Sequence, residues 1–256
     1  MAQDYSWFIE NFRRETGIDL EKYKRPQMER RLTALCTKRG FQNFGEYLSA
    51  ATKNPSLMDE LLDRMTINVS EFFRNKSRWD ALAELIPTLA KNNRLRAWSA
   101  ACSTGQEPYT LMLLLSKFMP ISGVSLLATD IDDRALRVAR EGIYKEEELL
   151  PIEQNLQTKF FREVNSSQQQ VSEELRSRIE FKKHNLLEQP FESDFDLIIC
   201  RNVLIYFTDP AKDILYHKFA QALRSGGVLF VGSTEQIFHA ETYRLKQIQP
   251  FFYQKM

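Results

Sequence analysis

The chain has 256 residues, a formal net charge of +1 and a 43% hydrophobic share, enough for one large or two small domains with a real core. The balanced charge excludes attraction of a polyanion by the whole-molecule field, so any charge-driven contact must be local. Three widely spaced cysteines, Cys36, Cys102 and Cys200, fit a reducing compartment and argue against a disulfide framework or a cysteine-based zinc site.

The first twelve residues, MAQDYSWFIENF, have no basic stretch leading into an apolar one, and no signal peptide is expected. Residues 1 to about 70 read as helices only. Trp7, Phe8 and Phe12, then Met28, Leu32 and Leu35, then Phe41, Phe44, Tyr47 and Leu48, then Leu57, Leu61, Leu62 and Met65, recur at helical spacing. Residues 21–39 hold seven basic and two acidic side chains. With Met28, Leu32 and Leu35 turned inward, Arg30, Arg31, Lys38 and Arg39 are expected outward, as a solvated face or a docking surface for an acidic partner.

From Leu95 the pattern changes. Short β runs at 95–101, 125–131, 179–184, 196–201 and 227–232 alternate with helical stretches at 106–118, 132–141 and 210–223. Such alternation predicts an α/β fold, a mostly parallel sheet with helices on both faces. The tail from Thr242 alternates and predicts an edge hairpin turning near Pro250. Residues 143–183 are too long for a plain link, so a small inserted subdomain is expected there, assigned to 152–182. The division is then 1–72 helical and 73–256 α/β. The longest apolar stretch, 111–119, falls short of the ~20 residues of a membrane span.

The segment LRAWSAACSTGQEPYT, 95–110, reads as a buried strand, a small-residue turn and a helix start. Such a turn lets a ligand approach bare backbone N–H groups. The second strand ends in Asp130, where an acid of α/β folds takes ribose hydroxyls. No G-x-G-x-x-G is present, so an adenosine without pyrophosphate, as in S-adenosylmethionine, fits better than a dinucleotide.

Three more segments carry candidates. In TINVSEFFRN, 66–75, Asn68, Ser70 and Arg74 stand beside a double aromatic, and Ser70 also reads as an ordinary helix N-cap. In DLIICRNVLIYF, 196–207, a buried strand ends in Arg201-Asn202, with Tyr206 beyond; Arg201 also reads as the partner of a structural carboxylate. Asn185-Leu186 follows the third strand.

Taken together, TINVSEFFRN, WSAACSTGQEPYT, ATDIDDRAL with REGIY, HNLLE and FDLIICRNVLIYF resemble, in that order, the signature segments of the chemotaxis receptor methyltransferases, the CheR family. The resemblance runs from about residue 5 to the end. It implies a class I S-adenosylmethionine-dependent methyltransferase domain, Rossmann-like, with an N-terminal all-helical domain and a small β-rich insert. It implies methyl transfer to glutamate side chains of chemoreceptors, yielding glutamate methyl esters and S-adenosylhomocysteine, with no metal.

Carried over residue by residue, cofactor contacts fall on Asn68, Ser70, Arg74, Glu107, Asp130, Asn185 and Leu186, with Arg201 and Asn202 beside them. The reactive-centre arginine and tyrosine correspond to Arg74 and Tyr206. Ser70 stands where threonine is usual, and Gln106 replaces a common glutamate. His184, His217 and His239 are expected to be structural or at the surface, because a carboxylate acceptor needs no general base.

The implied partners are the cytoplasmic methylation helices of chemoreceptors, docked on Arg30, Arg31, Lys38 and Arg39. The middle of the insert lacks the glycine-bearing loop associated with tethering to a receptor C-terminal peptide, so a tether-independent, cytoplasmic, monomeric enzyme is expected. No nucleic-acid partner and no membrane insertion are expected. The alternative is a receptor adaptor that binds S-adenosylmethionine without catalysis.

Overall fold

The computed structural model describes residues 2–66 and 69–256, and residues 2–4 by their backbone alone. Its internal contacts form two units, Met1–Asn68 with Val203–Leu215, and Val69–Asn202 with Tyr216–Met256. Among the described residues no helix is long and apolar enough to cross a membrane.

The first unit is helical, as the spacing predicts: α1 Ala2–Thr16, α2 Arg25–Arg39, α3 Phe44–Ala51 and α4 Pro55–Thr66. Tyr5, Phe8 and Phe12 share the buried stripe of α1, while Trp7, off that stripe, is 47% exposed. The Phe8 ring lies 5.5 Å from Phe12 and 5.7 Å from Phe44. Helix α2 buries Met28, Leu32, Leu35 and Cys36 and stops at Gly40, whose φ of 75° suits the left-handed C-cap.

Residues 203–215 belong with these helices by contact, although the sequence boundary places them in the second domain. The Lys24 amide donates to the Tyr206 carbonyl at 2.8 Å, and the Thr208 amide to the Lys22 carbonyl at 2.9 Å. The Tyr23 and Phe207 rings meet edge to face at 5.0 Å.

The second unit runs α5 Lys76–Leu89, β1 Leu95–Ala100, α6 Gln106–Leu115, β2 Val124–Asp130 and α7 Asp133–Glu141. The insert follows as β3 Ile143–Lys145, α8 Glu146–Leu149, α9 Gln154–Phe160, β4 Phe161–Asn165, β5 Gln168–Val171 and α10 Glu173–Arg176. Then come β6 Ile179–Lys183, β7 Phe195–Cys200, the helix α11 Asp209–Ala222, β8 Leu223–Val231, β9 Leu245–Gln249 and β10 Phe252–Lys255.

The large sheet has the order β6-β2-β1-β7-β8-β10-β9, with β10 alone reversed, antiparallel to both β8 and β9. Leu197, Ile198, Ile199 and Cys200 are all fully buried, the continuous apolar run of a strand covered on both faces. Helix α6 is buried on every side apart from Glu107, which marks it as a central helix. Its regular turns end at Leu115, three residues short of the expected 118, in a run of turns. The expected edge hairpin is β9–β10, with Pro250 in its turn.

The small sheet is antiparallel, β3-β5-β4. It takes its first strand from 143–145, ahead of the expected 152, and residues 179–183 pair with β2 in the large sheet. The three-residue IYK strand is too short to show alternation.

Candidate functional site

Every candidate of the second unit except those near residue 70 lies just past the carboxyl end of a strand. Residues 101–107 follow β1, Asp130 ends β2, His184–Leu186 follow β6 and Arg201–Asn202 follow β7. The sheet order reverses between β1 and β7, so Glu107 and Arg201 flank the crevice where open α/β sheets bind ligands.

The turn after β1 is built from left-handed residues: Ala101 (φ 68°), Ser103 (φ 49°) and Gly105 (φ 96°). For Ala101 and Ser103 this conformation is unfavourable by about 1–2 kcal/mol each, so neighbours must hold it. Asp130 holds one side. Its Oδ2 accepts the Ser103 amide at 2.8 Å and its Oδ1 the Asp132 amide at 3.0 Å. Burial pushes Asp130 up to about 6 against the lowering pull of those backbone donors. Two carboxylate oxygens have about four acceptor positions, so capacity remains for a ribose diol.

Glu107 stands in the first turn of α6. Its Oε1 accepts the Ser99 hydroxyl at 2.8 Å and its Oε2 lies 3.6 Å from Arg201 Nη1. Burial raises it to about 6, with Arg201 and Ser99 opposing the rise. Arg201, just past β7, is paired to a carboxylate, as one of its two readings has it. Its guanidinium is packed 4.8 Å from the Phe230 ring and 5.4 Å from the Trp79 ring. It donates to the Arg74 carbonyl at 2.9 Å and the Asn75 Oδ1 at 3.1 Å, while its buried Nε has no hydrogen-bond partner among the described residues.

Those two bonds anchor the Arg74 loop. The Trp79 indole also donates to the Arg74 carbonyl, at 3.1 Å, and the Phe73 amide donates to Thr110 Oγ1 at 3.1 Å. Phe73 (φ 51°) and Asn75 (φ 60°) are again left-handed. The N-cap reading of Ser70 is overturned: no helix starts there, and α5 begins at Lys76 behind Asn75. The turn is held instead by the aromatic pair, Phe72 being fully buried. Arg74 Nη1 donates to the Val69 carbonyl at 3.0 Å. Asn68 lies outside the described residues.

The His184 amide donates to the Asp130 carbonyl at 2.8 Å, which seats the Asn185-Leu186 segment beside Asp130. Asn185 Oδ1 accepts the Leu187 amide at 3.0 Å, and Lys218 Nζ caps the Leu186 carbonyl at 2.7 Å. The His184 ring is edge-on to Trp98, and burial lowers it to about 4, with Lys218 and Lys182 adding to the fall.

Sequence reading missed Glu235. This buried acid accepts the Asn202 amide at 2.7 Å and the Gly232 amide at 2.8 Å, fixing Asn202 at φ 61°. An acid three residues past Gly232, the residue that follows β8, was the available signal.

Tyr206 is part of the first unit. The Arg31 guanidinium lies 4.9 Å over its ring, and Arg31 also reaches the Met65 carbonyl at 3.5 Å. Arg31 is therefore not an outward residue. It follows Met28 by three positions, which turns it toward the buried side of α2. Arg30 is exposed, and Lys38 and Arg39 pair with Glu60 at 4.0 and 2.8 Å.

Comparison with known proteins agrees with this geometry along nearly the whole chain. Residues 3–66 match the CheR methyltransferase all-alpha domain, and residues 68–252 match the CheR methyltransferase SAM binding domain. A chemotaxis protein methyltransferase of Listeria monocytogenes is 41% identical over 100% of this chain and 98% of its own. One of Borreliella burgdorferi is 37% identical over 93% of this chain and 89% of its own. One of Salmonella typhimurium is 34% identical over 86% of this chain and 78% of its own. With both domains matched and the large sheet, helical unit and small antiparallel sheet all present, the chain belongs to the CheR methyltransferase family.

Proposed function

We propose that this protein transfers a methyl group from S-adenosylmethionine to glutamate carboxylates of chemotaxis receptors, forming methyl esters for sensory adaptation. The supporting observation is the bond from the Ser103 amide to Asp130, which ties the acid at the end of β2 to the turn leading into α6. The residues present fit the cofactor. Asp130 has acceptor capacity for the ribose hydroxyls, and Glu107 offers a buried carboxylate to the ammonium of the amino-acid end. Asn185 and Leu186 line the adenosine side, and Ser70, Arg74, Arg201, Asn202 and Asn68 complete the expected set.

When bound, S-adenosylmethionine supplies an electrophilic methyl on a positively charged sulfur. The protein's own contribution is binding and alignment. A glutamate acceptor has a reference pKa of ~4.3 and is ionised near neutrality, so no side chain needs to remove a proton. Arg74, with Nη1 engaged by the Val69 carbonyl, holds one acceptor oxygen and leaves the other free. A full bidentate clamp would stabilise the ground state as well. Tyr206, steadied by Arg31, orients the acceptor. Arg30, Lys38 and Arg39 remain the proposed docking surface for acidic receptor helices, in a cytoplasmic monomer that works without a peptide tether. The boundaries 1–72, 73–256 and 152–182 stay as the proposed domain division.

Incubation with methyl-labelled S-adenosylmethionine and chemoreceptor-bearing membranes, followed by mild alkali, tests the reading. Volatile labelled methanol is expected. Alkali-stable label would refute the ester, and bound cofactor without transfer would replace the enzyme by a non-catalytic adaptor.

A further inference from the structure

We propose that Tyr144, on the first strand of the small sheet, is a positioning residue for the cofactor, latching the turn after β1 from the side opposite Asp130. The inference rests on the reading that this turn holds S-adenosylmethionine. The turn is strained at Ala101 and Ser103, and Asp130 grips its Ser103 amide. One residue further on, the Thr104 carbonyl accepts the Tyr144 hydroxyl at 2.7 Å. Gly105 gives this hydroxyl room: a Cβ there would stand 2.7 Å from the Tyr144 oxygen and 2.9 Å from the Ala139 Cβ.

The latch has a second strand of bonds. The Thr104 hydroxyl donates to Gln106 Oε1 at 2.7 Å, and Gln106 Nε2 donates to Glu148 Oε1 at 3.1 Å. Glu148 Oε2 accepts the Lys145 amide at 3.0 Å, one residue from Tyr144. Turn and insert are thus closed into one ring of hydrogen bonds. Gln106 fits this ring because its amide donates to Glu148, where a glutamate would oppose it. The Tyr144 ring reaches the other ligand loop as well. It meets Phe72 edge to face at 5.0 Å, and Phe72 lies two residues from Arg74. Two of the loops that would touch the cofactor are thus braced by one buried tyrosine of the insert.

Tyr144→Phe removes the hydroxyl and keeps the ring. One neutral hydrogen bond in a strained turn should weaken S-adenosylhomocysteine binding about fivefold, measured by calorimetry. Turnover at saturating S-adenosylmethionine should stay within about twofold, so the loss appears in cofactor KM rather than kcat. Gln106→Glu should weaken binding by setting two carboxylates face to face, and adding Glu148→Gln should restore it. Unchanged affinity in Tyr144→Phe, or failure of Glu148→Gln to restore Gln106→Glu, would overturn the latch while leaving the cofactor site intact. Failure of the unaltered protein to bind S-adenosylhomocysteine would instead remove the underlying reading, and the latch with it.

Discussion

Lowering the pH from about 7.5 to about 5 should weaken S-adenosylhomocysteine binding by about 10-fold if one buried carboxylate must be ionised and about 100-fold if both must. Burial raises Asp130 and Glu107 each to about 6. A group titrating near 6 is roughly one-tenth ionised at pH 5, and two independent groups multiply to about one-hundredth. His184 does not contribute to this window, because burial holds it at about 4 and it stays neutral throughout.

The sign for stability runs the other way. Both folded-state values are raised, so the free protein is stabilised by the protonated forms, fully below about 4. That stabilisation, roughly 2–3 kcal/mol for each group, is lost as the pH rises through 6. A ligand that pairs with the ionised carboxylates offsets this loss, so the ligand-induced rise in Tm should be larger at pH 7.5 than at pH 5. Titration calorimetry in two buffers of different protonation heat should show about one to two protons released per site near pH 5, and nearly none at 7.5. Asp130→Asn should bind weakly at every pH and lose one step of the dependence. An affinity flat from pH 5 to 7.5 would refute the reasoning.

Three more outcomes follow from the same contacts. Arg201→Ala leaves Glu107 buried without its cation and frees the Arg74 loop; urea unfolding should show a loss of about 3 kcal/mol, and a loss under about 1 would show the pair to be dispensable. Arg74→Lys should cut turnover at saturation about tenfold or more, because an ammonium cannot bridge the Val69 carbonyl and an acceptor oxygen in one plane; full turnover with unchanged cofactor affinity would remove Arg74 from catalysis. Arg30→Glu should raise the receptor KM several-fold at low salt, with the effect fading at high salt and cofactor affinity unchanged; a KM unmoved at low salt would reject the docking surface.

The parallel strands were legible because strands buried on both faces need unbroken apolar runs, and LIIC and VLFV read as nothing else of that length. The positions of Asp130 and Glu107 were legible, because one ends a strand and the other opens a helix. The latch was not. The IYK strand is too short for a pattern, and the use of Tyr144 depends on a partner forty residues away. Ser70 misled for a related reason: a local cap rule was read where Phe72 and Phe73 pack into distant side chains. Arg31 shows the limit of charge counting, since one turn of helix geometry carries it from solvent to the face of Tyr206.

The return of residues 203–215 to α2 has a consequence for how the chain is made. A ribosome delivers residues in order, at about 5–20 per second, so the helices of the first unit wait on the order of ten seconds for Tyr206 and Phe207. Until then the Tyr23–Phe207 ring contact and the backbone bonds that Lys24 and Lys22 make to this segment cannot form. A fragment ending after α4 would be stuck at that stage, a helical cluster with an unmatched seam. Completion of the first unit is therefore a late event, resting on a segment that leaves the ribosome only after β7.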